Sequence, residues 1–254
     1  MRIATFLAVI LGAAPSVGVA QTDSVSGNGV TFSIGVGAES RPEYFGSDEN
    51  EVEPRLSFRM DELRLGTFGS GGNPENGLGF RGSVRLIGER DSDEFDELDG
   101  LDDVDQTIEL GLGLVYRQPG YEVFADVRRG FGGHESVVGE VGADAIFTPS
   151  NQLEWRFGPR VFIGSDEYAE TYFGVSEDEA AASDFDAFDA EGGVLSAGLE
   201  LGMTYQFNER WAVDGAVGYD RFLGDAADSP IVEEGSDEQY TARLGLMRTF
   251  SFGF

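Results

Sequence analysis

From Gln106 to Tyr116 the chain alternates with a period of two. Ile108, Leu110, Leu112, Leu114 and Tyr116 fall on one face, and Thr107, Glu109, Gly111 and Gly113 fall on the other. The pattern returns where Tyr121, Val123, Ala125 and Val127 alternate with Glu122, Phe124, Asp126 and Arg128. It returns again where Leu153, Trp155, Phe157, Pro159 and Val161 alternate with Glu154, Arg156, Gly158 and Arg160, and along Leu195–Tyr205. A period of two is the side-chain repeat of a β-strand. Each run lasts about 10 to 15 residues, which suits a tilted strand crossing a bilayer and exceeds the five or six typical of soluble sandwiches. The pattern predicts strands near 30–38, 51–68, 79–89, 106–117, 121–130, 137–147, 151–163, 192–206, 210–222 and 239–254. Pro54 and Asp61-Glu62 interrupt the second of these and predict a bend. A further hairpin within 51–78 would raise the count from ten to twelve.

The connections between these strands differ in length. Gln118-Pro119-Gly120, Thr148–Ser150 and Phe207–Glu209 are short, whereas 39–50, 90–105, 164–191 and 223–238 are long. Outer-membrane barrels join an even number of antiparallel strands by short periplasmic turns and long external loops. The fold class predicted is therefore all-β, a single closed antiparallel transmembrane β-barrel with both termini in the periplasm. The last strand ends Phe250-Ser251-Phe252-Gly253-Phe254, with alternating aromatics and a final Phe. That ending resembles the C-terminal signal by which outer-membrane barrels are recognised for assembly. Arg248 shares parity with Leu246 and Phe250, so it faces the lipid side; either a place near the interface or a bulge that shifts the register would accommodate it.

The N-terminus fixes the compartment. Arg2, the apolar run Ile3–Ala14 and the small residues Gly18-Val19-Ala20 have the layout of a secretory signal peptide, residues 1–20, leaving a barrel domain at 21–254. The run is too short to span a bilayer as a helix. Beyond it no apolar stretch is long enough for a transmembrane helix, so membrane insertion would require a closed barrel. There is no Cys, which removes disulfides and thiolate chemistry. All 17 basic residues are Arg, and the net charge of −30 argues against nucleic acid as a partner.

The inward parity carries Arg81, Arg85, Arg128, Arg156, Arg160 and Arg243, together with Glu109, Glu122, Asp126, Glu140, Asp144, Glu154, Glu200, Asp214 and Asp220. Barrels near eight strands are filled by side chains, and buried charges persist when paired. This points to a structural salt-bridge network in the lumen, with a narrow channel as the alternative. The four long loops hold 29 of the 47 acidic residues, so most of the negative charge is external. Solvated acidic loops are the simpler reading of this; divalent cations bridging the loops to lipopolysaccharide are the alternative. The block Asp91–Asp105 fails the EF-hand pattern, because aligning Gly100 puts Phe95 and Gln106 at the first and last ligand positions. Catalytic signals are sparse, and no catalytic, cofactor-binding or metal residue is assigned. The single histidine, His134, stands in an H-x-S order with Ser136. This weakly resembles the His/Ser arrangement of lipid A deacylases and leaves a lipid A-modifying hydrolase as a lesser alternative.

Four segments resemble the MltA-interacting protein/OmpV family of outer-membrane proteins. The first is Gly35–Phe58, with Tyr44, Gly46 and Ser47 in a P-x-Y-x-G-S-like run. The second is Leu98–Leu114. The third is Thr171–Ser183, carrying Tyr172, Phe173, Gly174, Val175 and Ser176. The fourth is Asp220–Leu246, carrying Gly224, Asp225, Asp228, Ser229 and Pro230. The resemblance implies a barrel in the outer membrane of a Gram-negative cell, in contact with its lipid and lipopolysaccharide. It also implies a non-enzymatic envelope scaffold for a periplasmic murein hydrolase and synthase, as described for one member. Asp225, Asp228, Ser229 and Pro230 suit a tight loop built from Asx-type turns and the fixed φ of Pro.

Overall fold

The computed structural model describes residues 28–65, 68–70, 77–92 and 94–254. The signal peptide expected at 1–20 lies outside the described residues. The long strands are β1 (Gly29–Pro42), β2 (Asn50–Leu65), β4 (Gly77–Ile87), β5 (Thr107–Gln118), β6 (Tyr121–Gly132), β7 (Val137–Ser150), β8 (Leu153–Gly164), β9 (Gly193–Asn208), β10 (Trp211–Phe222) and β11 (Glu238–Gly253). They correspond one for one to the ten runs read from the alternation. An additional three-residue strand, β3 (Phe68–Ser70), pairs with Leu63–Leu65 at the end of β2, inside the segment 51–78 that the sequence allows a further hairpin.

All pairings are antiparallel and form one sheet in the order β3-β2-β1-β11-β10-β9-β8-β7-β6-β5-β4. The first and last long strands are neighbours, with Gly29 opposite Gly253 and Ser40 opposite Ala242. Among the described residues no ladder joins β4 to β2, although Cα atoms of the two strands come within 8 Å of each other.

The sheet buries polar groups and exposes apolar ones. On the convex face Leu112 is 71% exposed and Leu56 and Leu78 are 68% exposed, whereas on the inner face Ser33 and Glu109 are fully buried. A soluble sheet would do the reverse, because apolar area in water costs roughly 25 cal/mol per Å². Arg248 keeps the outward parity of its neighbours, with no register shift beside it. It lies opposite Trp211 at the short-turn end, with its guanidinium 5.4 Å from the Trp211 ring and 5.0 Å from the Phe250 ring. Cation–π contact of this kind suits a charge at the polar margin of an apolar wall.

The ordinary hydrophobic core lies elsewhere, in the long connections at the other end. These fold into α1 (Asp166–Phe173), α2 (Glu177–Ala182), α3 (Pro230–Glu234) and two short 3₁₀ turns at Asp96–Leu98 and Gly224–Ala226. One cluster packs Tyr168, Tyr172, Phe173, Leu195, Phe222 and Val232 together with Phe45. A second packs Tyr44, Leu98, Leu101, Val175 and Ile231 together with Phe95, Phe185 and Phe188. The loops therefore form a folded cap over the sheet's interior.

Candidate functional site

The inner face carries a layered set of ion pairs. Arg81 on β4 clamps Asp126 on β6, with Nε to Oδ1 at 2.9 Å and Nη2 to Oδ2 at 2.6 Å, and Ser83 donates to the same carboxylate at 3.1 Å. Arg128 donates from Nε to Glu109 at 2.7 Å and from Nη1 to Glu140 at 3.1 Å. Arg85 stands 3.7 Å from Glu109. A second group joins Arg160 to Asp144 at 2.9 Å and to Glu200 at 3.4 Å, and Arg243 to Glu200 at 2.7 Å. A third, nearer the short turns, joins Arg117 to Glu122 at 3.3 Å and to Glu154 at 2.6 Å, with Arg156 at 3.6 Å from Glu154. Asp214 accepts from Thr204 at 3.1 Å, and neither it nor Asp220 has an ion-pair partner within 4 Å among the described residues. Between two of these groups Phe124 is held in the interior, with guanidinium carbons of Arg81 and Arg160 3.9 and 4.9 Å from its ring centre. A cavity of about 850 Å³ remains beneath the cap.

Three of the inner positions were missed in reading the sequence. Arg55 and Arg59 share inward parity on β2, and Arg55 pairs with Glu39 at 3.2 Å. The alternation Glu51-Val52-Glu53-Pro54-Arg55-Leu56-Ser57-Phe58-Arg59 carried that signal. Arg117 closes β5 at the short-turn end of the same face.

His134 is buried in the β6–β7 connection. Its Nδ1 lies 2.9 Å from Ser136 Oγ and its Nε2 lies 3.3 Å from Glu109 Oε1. Gly130 makes this fold-back feasible, because a Cβ there would fall on the imidazole ring. The connectivity is that of a hydroxyl, a base and an orienting carboxylate. Ser136, however, is only 3% exposed, the imidazole stacks edge-on against Tyr168 at 4.9 Å, and Glu109 already serves Arg128. As built, the trio pins the β6–β7 connection to the inner wall and to the underside of α1.

The family-motif residues meet in the cap. Gly46 has φ of +103°, its Cβ position lies 2.9 Å from Val232 Cγ2, and its carbonyl accepts from the Ser236 N–H at 2.7 Å. The Ser47 carbonyl accepts from Gln239 Nε2 at 3.3 Å. The Tyr44 hydroxyl donates to Glu97 at 3.2 Å, and burial, followed by that carboxylate, raises its pKa. Tyr172 and Phe173 end α1 against Phe45, with ring centroids at 5.0 and 6.0 Å. Gly174 closes α1 through its N–H to the Glu170 carbonyl, and Val175 bridges Phe188. Ser176 caps α2 in a capping box with Glu179. Gly224 begins a 3₁₀ turn at φ of +56°. Asp225 accepts from the Glu191 N–H at 2.8 Å, and Ser229 donates to the Phe173 carbonyl at 2.6 Å, while Pro230 occupies the first turn of α3 beside Asp228. These contacts differ from local Asx turns: the side chains tie one long connection to another.

The acidic loop residues work in the same way. Asp166 accepts from the Gly192 N–H at 2.9 Å, and Glu179 from the Asp102 N–H at 2.9 Å. Burial alone would raise the Glu179 pKa, but backbone N–H groups of Asp102 and Ser176 hold it below the usual carboxylate range. Arg90, 6% exposed, donates to the Tyr172 and Asp102 carbonyls at 3.4 and 3.3 Å, and burial lowers its pKa. Among the described residues, no three His, Asp or Glu side chains converge to hold a metal ion.

The family model described as "MltA-interacting protein MipA" matches residues 34–250. No curated protein matches the chain. Solved structures that resemble it include Pseudomonas putida OprB at 12% identity, covering 78% of this chain and 49% of that one with a TM-score of 0.36. They also include the NanC porin at 8% identity, 86% and 98% coverage and 0.38, and OprG from Pseudomonas aeruginosa at 15%, 88% and 97%, and 0.29. The chain thus spans about half the length of OprB.

Proposed function

The chain belongs to the MltA-interacting protein MipA family, and on that premise we propose that it is a non-enzymatic outer-membrane barrel acting as an envelope scaffold. The observation that carries this reading is the inverted polarity of the wall under a folded cap. An apolar exterior needs hydrocarbon, and hydrocarbon tolerates no open strand edge, so β4 closes against β2 in the bilayer. Tyr116, Tyr121, Phe147, Phe207 and Trp211 cluster on the exterior at the short-turn end, as expected of an aromatic girdle. The opposite end then faces outward with its acidic cap against lipopolysaccharide. The aromatic roof favours interaction over passage, and the sealed Ser136 favours a non-enzymatic role.

The family's name specifies an interaction with MltA, and for this chain a periplasmic murein-processing partner is part of the proposal. It would dock at the short turns. Affinity capture of periplasmic proteins by the purified barrel tests this, with a lytic transglycosylase or murein synthase expected in the bound fraction. Recovery of neither would remove the scaffold reading. The cavity of about 850 Å³ favours a second reading, a narrow channel. Single-channel steps in planar bilayers would support it, and a silent bilayer would reject it.

A further inference from the structure

The charges lining the cavity are not evenly mixed. Among the described side chains, β2 and β4 present Arg55, Arg59, Arg81 and Arg85 to it, with Glu53 beside them; Arg55 is paired with Glu39 and Arg81 with Asp126. β10 presents Asp214 and Asp220 and no base. Most of the remaining charges are spent on one another, as the pairs between Arg160 and Asp144 and between Arg243 and Glu200 show.

Incompletely satisfied groups of opposite sign remain on the two walls. Asp214 and Asp220 engage no cation within 4 Å among the described residues, and Asp214 has a hydroxyl as its hydrogen-bond partner. On the other side Arg85 comes no nearer than 3.7 Å to a carboxylate, and its guanidinium stacks 4.9 Å from the Phe162 ring. Arg128, whose Nε and Nη1 serve Glu109 and Glu140, is 3% exposed, lines the cavity and has a buried Nη2 with no hydrogen-bond partner. A buried guanidinium N–H without an acceptor costs free energy, and an incoming anion relieves it. Unpaired carboxylates across the same space favour an incoming cation. The space, about 850 Å³, falls within the range of roughly 300–1,000 Å³ that holds small ligands.

We propose that this cavity binds a small zwitterionic solute of the amino-acid or short-peptide class. Its ammonium end meets Asp214 and Asp220, and its carboxylate end meets Arg85 and Arg128. The polarised walls orient the solute along the field between them. Tyr168, Tyr172 and Phe173 line its cap side. This site is separate from any docking surface at the short turns, so its failure would leave the scaffold reading untouched.

The test is titration calorimetry on the full barrel in detergent with three probes: alanyl-alanine, its N-acetyl form and its C-terminal amide. The zwitterion should bind saturably, and each singly charged form should bind at least about tenfold more weakly. Asp220→Asn should weaken alanyl-alanine about tenfold and erase its advantage over the N-acetyl form, which lacks the ammonium. Arg221→Gln, on the outer parity beside it, should change nothing. Heat-dependent gel mobility identifies variants that fold. Should Asp220→Asn fail to fold, wild-type discrimination among the three probes still decides. No saturable binding up to about 10 mM, or equal affinity for all three probes, would overturn the proposal.

Discussion

The wall and the cap of this molecule bury opposite chemistries. In the wall, Leu56, Leu78 and Leu112 face outward while Glu109 and Arg128 are enclosed. In the cap, Leu98, Tyr168 and Ile231 are enclosed, and the carboxylates of Asp99, Asp102 and Glu177 face outward. The two regions share one chain and meet at His134, whose ring touches Glu109 below and Tyr168 above. Burial in each region follows the surrounding medium. Where the exterior is hydrocarbon, stability rests on pairing charges inside; where it is water, it rests on excluding water from aromatic rings.

Substitutions that strike one region and spare the other put this contrast to the test. Glu109→Gln has the largest expected effect, because it removes the fully buried charge shared by Arg128 and Arg85 and leaves Arg128 with Glu140 as its close carboxylate. A loss of about 3–5 kcal/mol should appear as an earlier unfolding midpoint in urea. Wild-type stability would mean that the paired charges do not hold the wall. Leu112→Arg places a charge on the exterior and should cost about 2–4 kcal/mol in a bilayer. Measured in a lipid vesicle, this loss distinguishes a hydrocarbon-facing wall from a wetted one. Ser229→Ala removes the hydroxyl that satisfies the buried Phe173 carbonyl. It should cost about 1–3 kcal/mol within the cap, read as faster proteolysis of the long connections with an unchanged wall midpoint.

Acidification gives the smallest effect and the sharpest division between the regions. Glu179 has a depressed pKa in the folded cap, so its clamp on Asp102 is fully present above the ordinary carboxylate range and is lost as the pH falls through its folded value. Hydrogen exchange at the Asp102 amide should therefore quicken only below that range. Quickening that begins near neutrality would assign the clamp to some other group.

Most of the wall was legible because its signal is local. Alternation around Gly111 and Gly113 marks β5 without knowledge of any partner, and the same parity places Arg81 and Asp126 on one side, where they pair. The cap was illegible as a core because its contacts are distant in sequence. Tyr44 meets Leu98 and Ile231, and no short window contains all three. Part of the signal was present and masked by charge. In the acidic block ending at Asp105, Leu98, Leu101 and Val104 recur every three residues and all point into the cap. Ser176 and Glu179 likewise form a capping-box spacing inside a run that otherwise reads as solvated acid. The role of His134 could not be read because it needs Glu109, a residue whose alternation already accounted for it.

The pairing of β1 with β11 orders events in time. Gly29 and Gly253 are partners from opposite ends of the chain, and the backbone N–H of Phe254 reaches the Asn28 carbonyl at 2.9 Å. Joins between consecutive strands close short loops, but this one closes nearly the whole sequence and forms only after the last strand has arrived. Until then β1 and β10 both offer bare edges to any passing strand. A chain whose final strand is delayed is therefore sticky for that interval, and a holding chaperone would protect it.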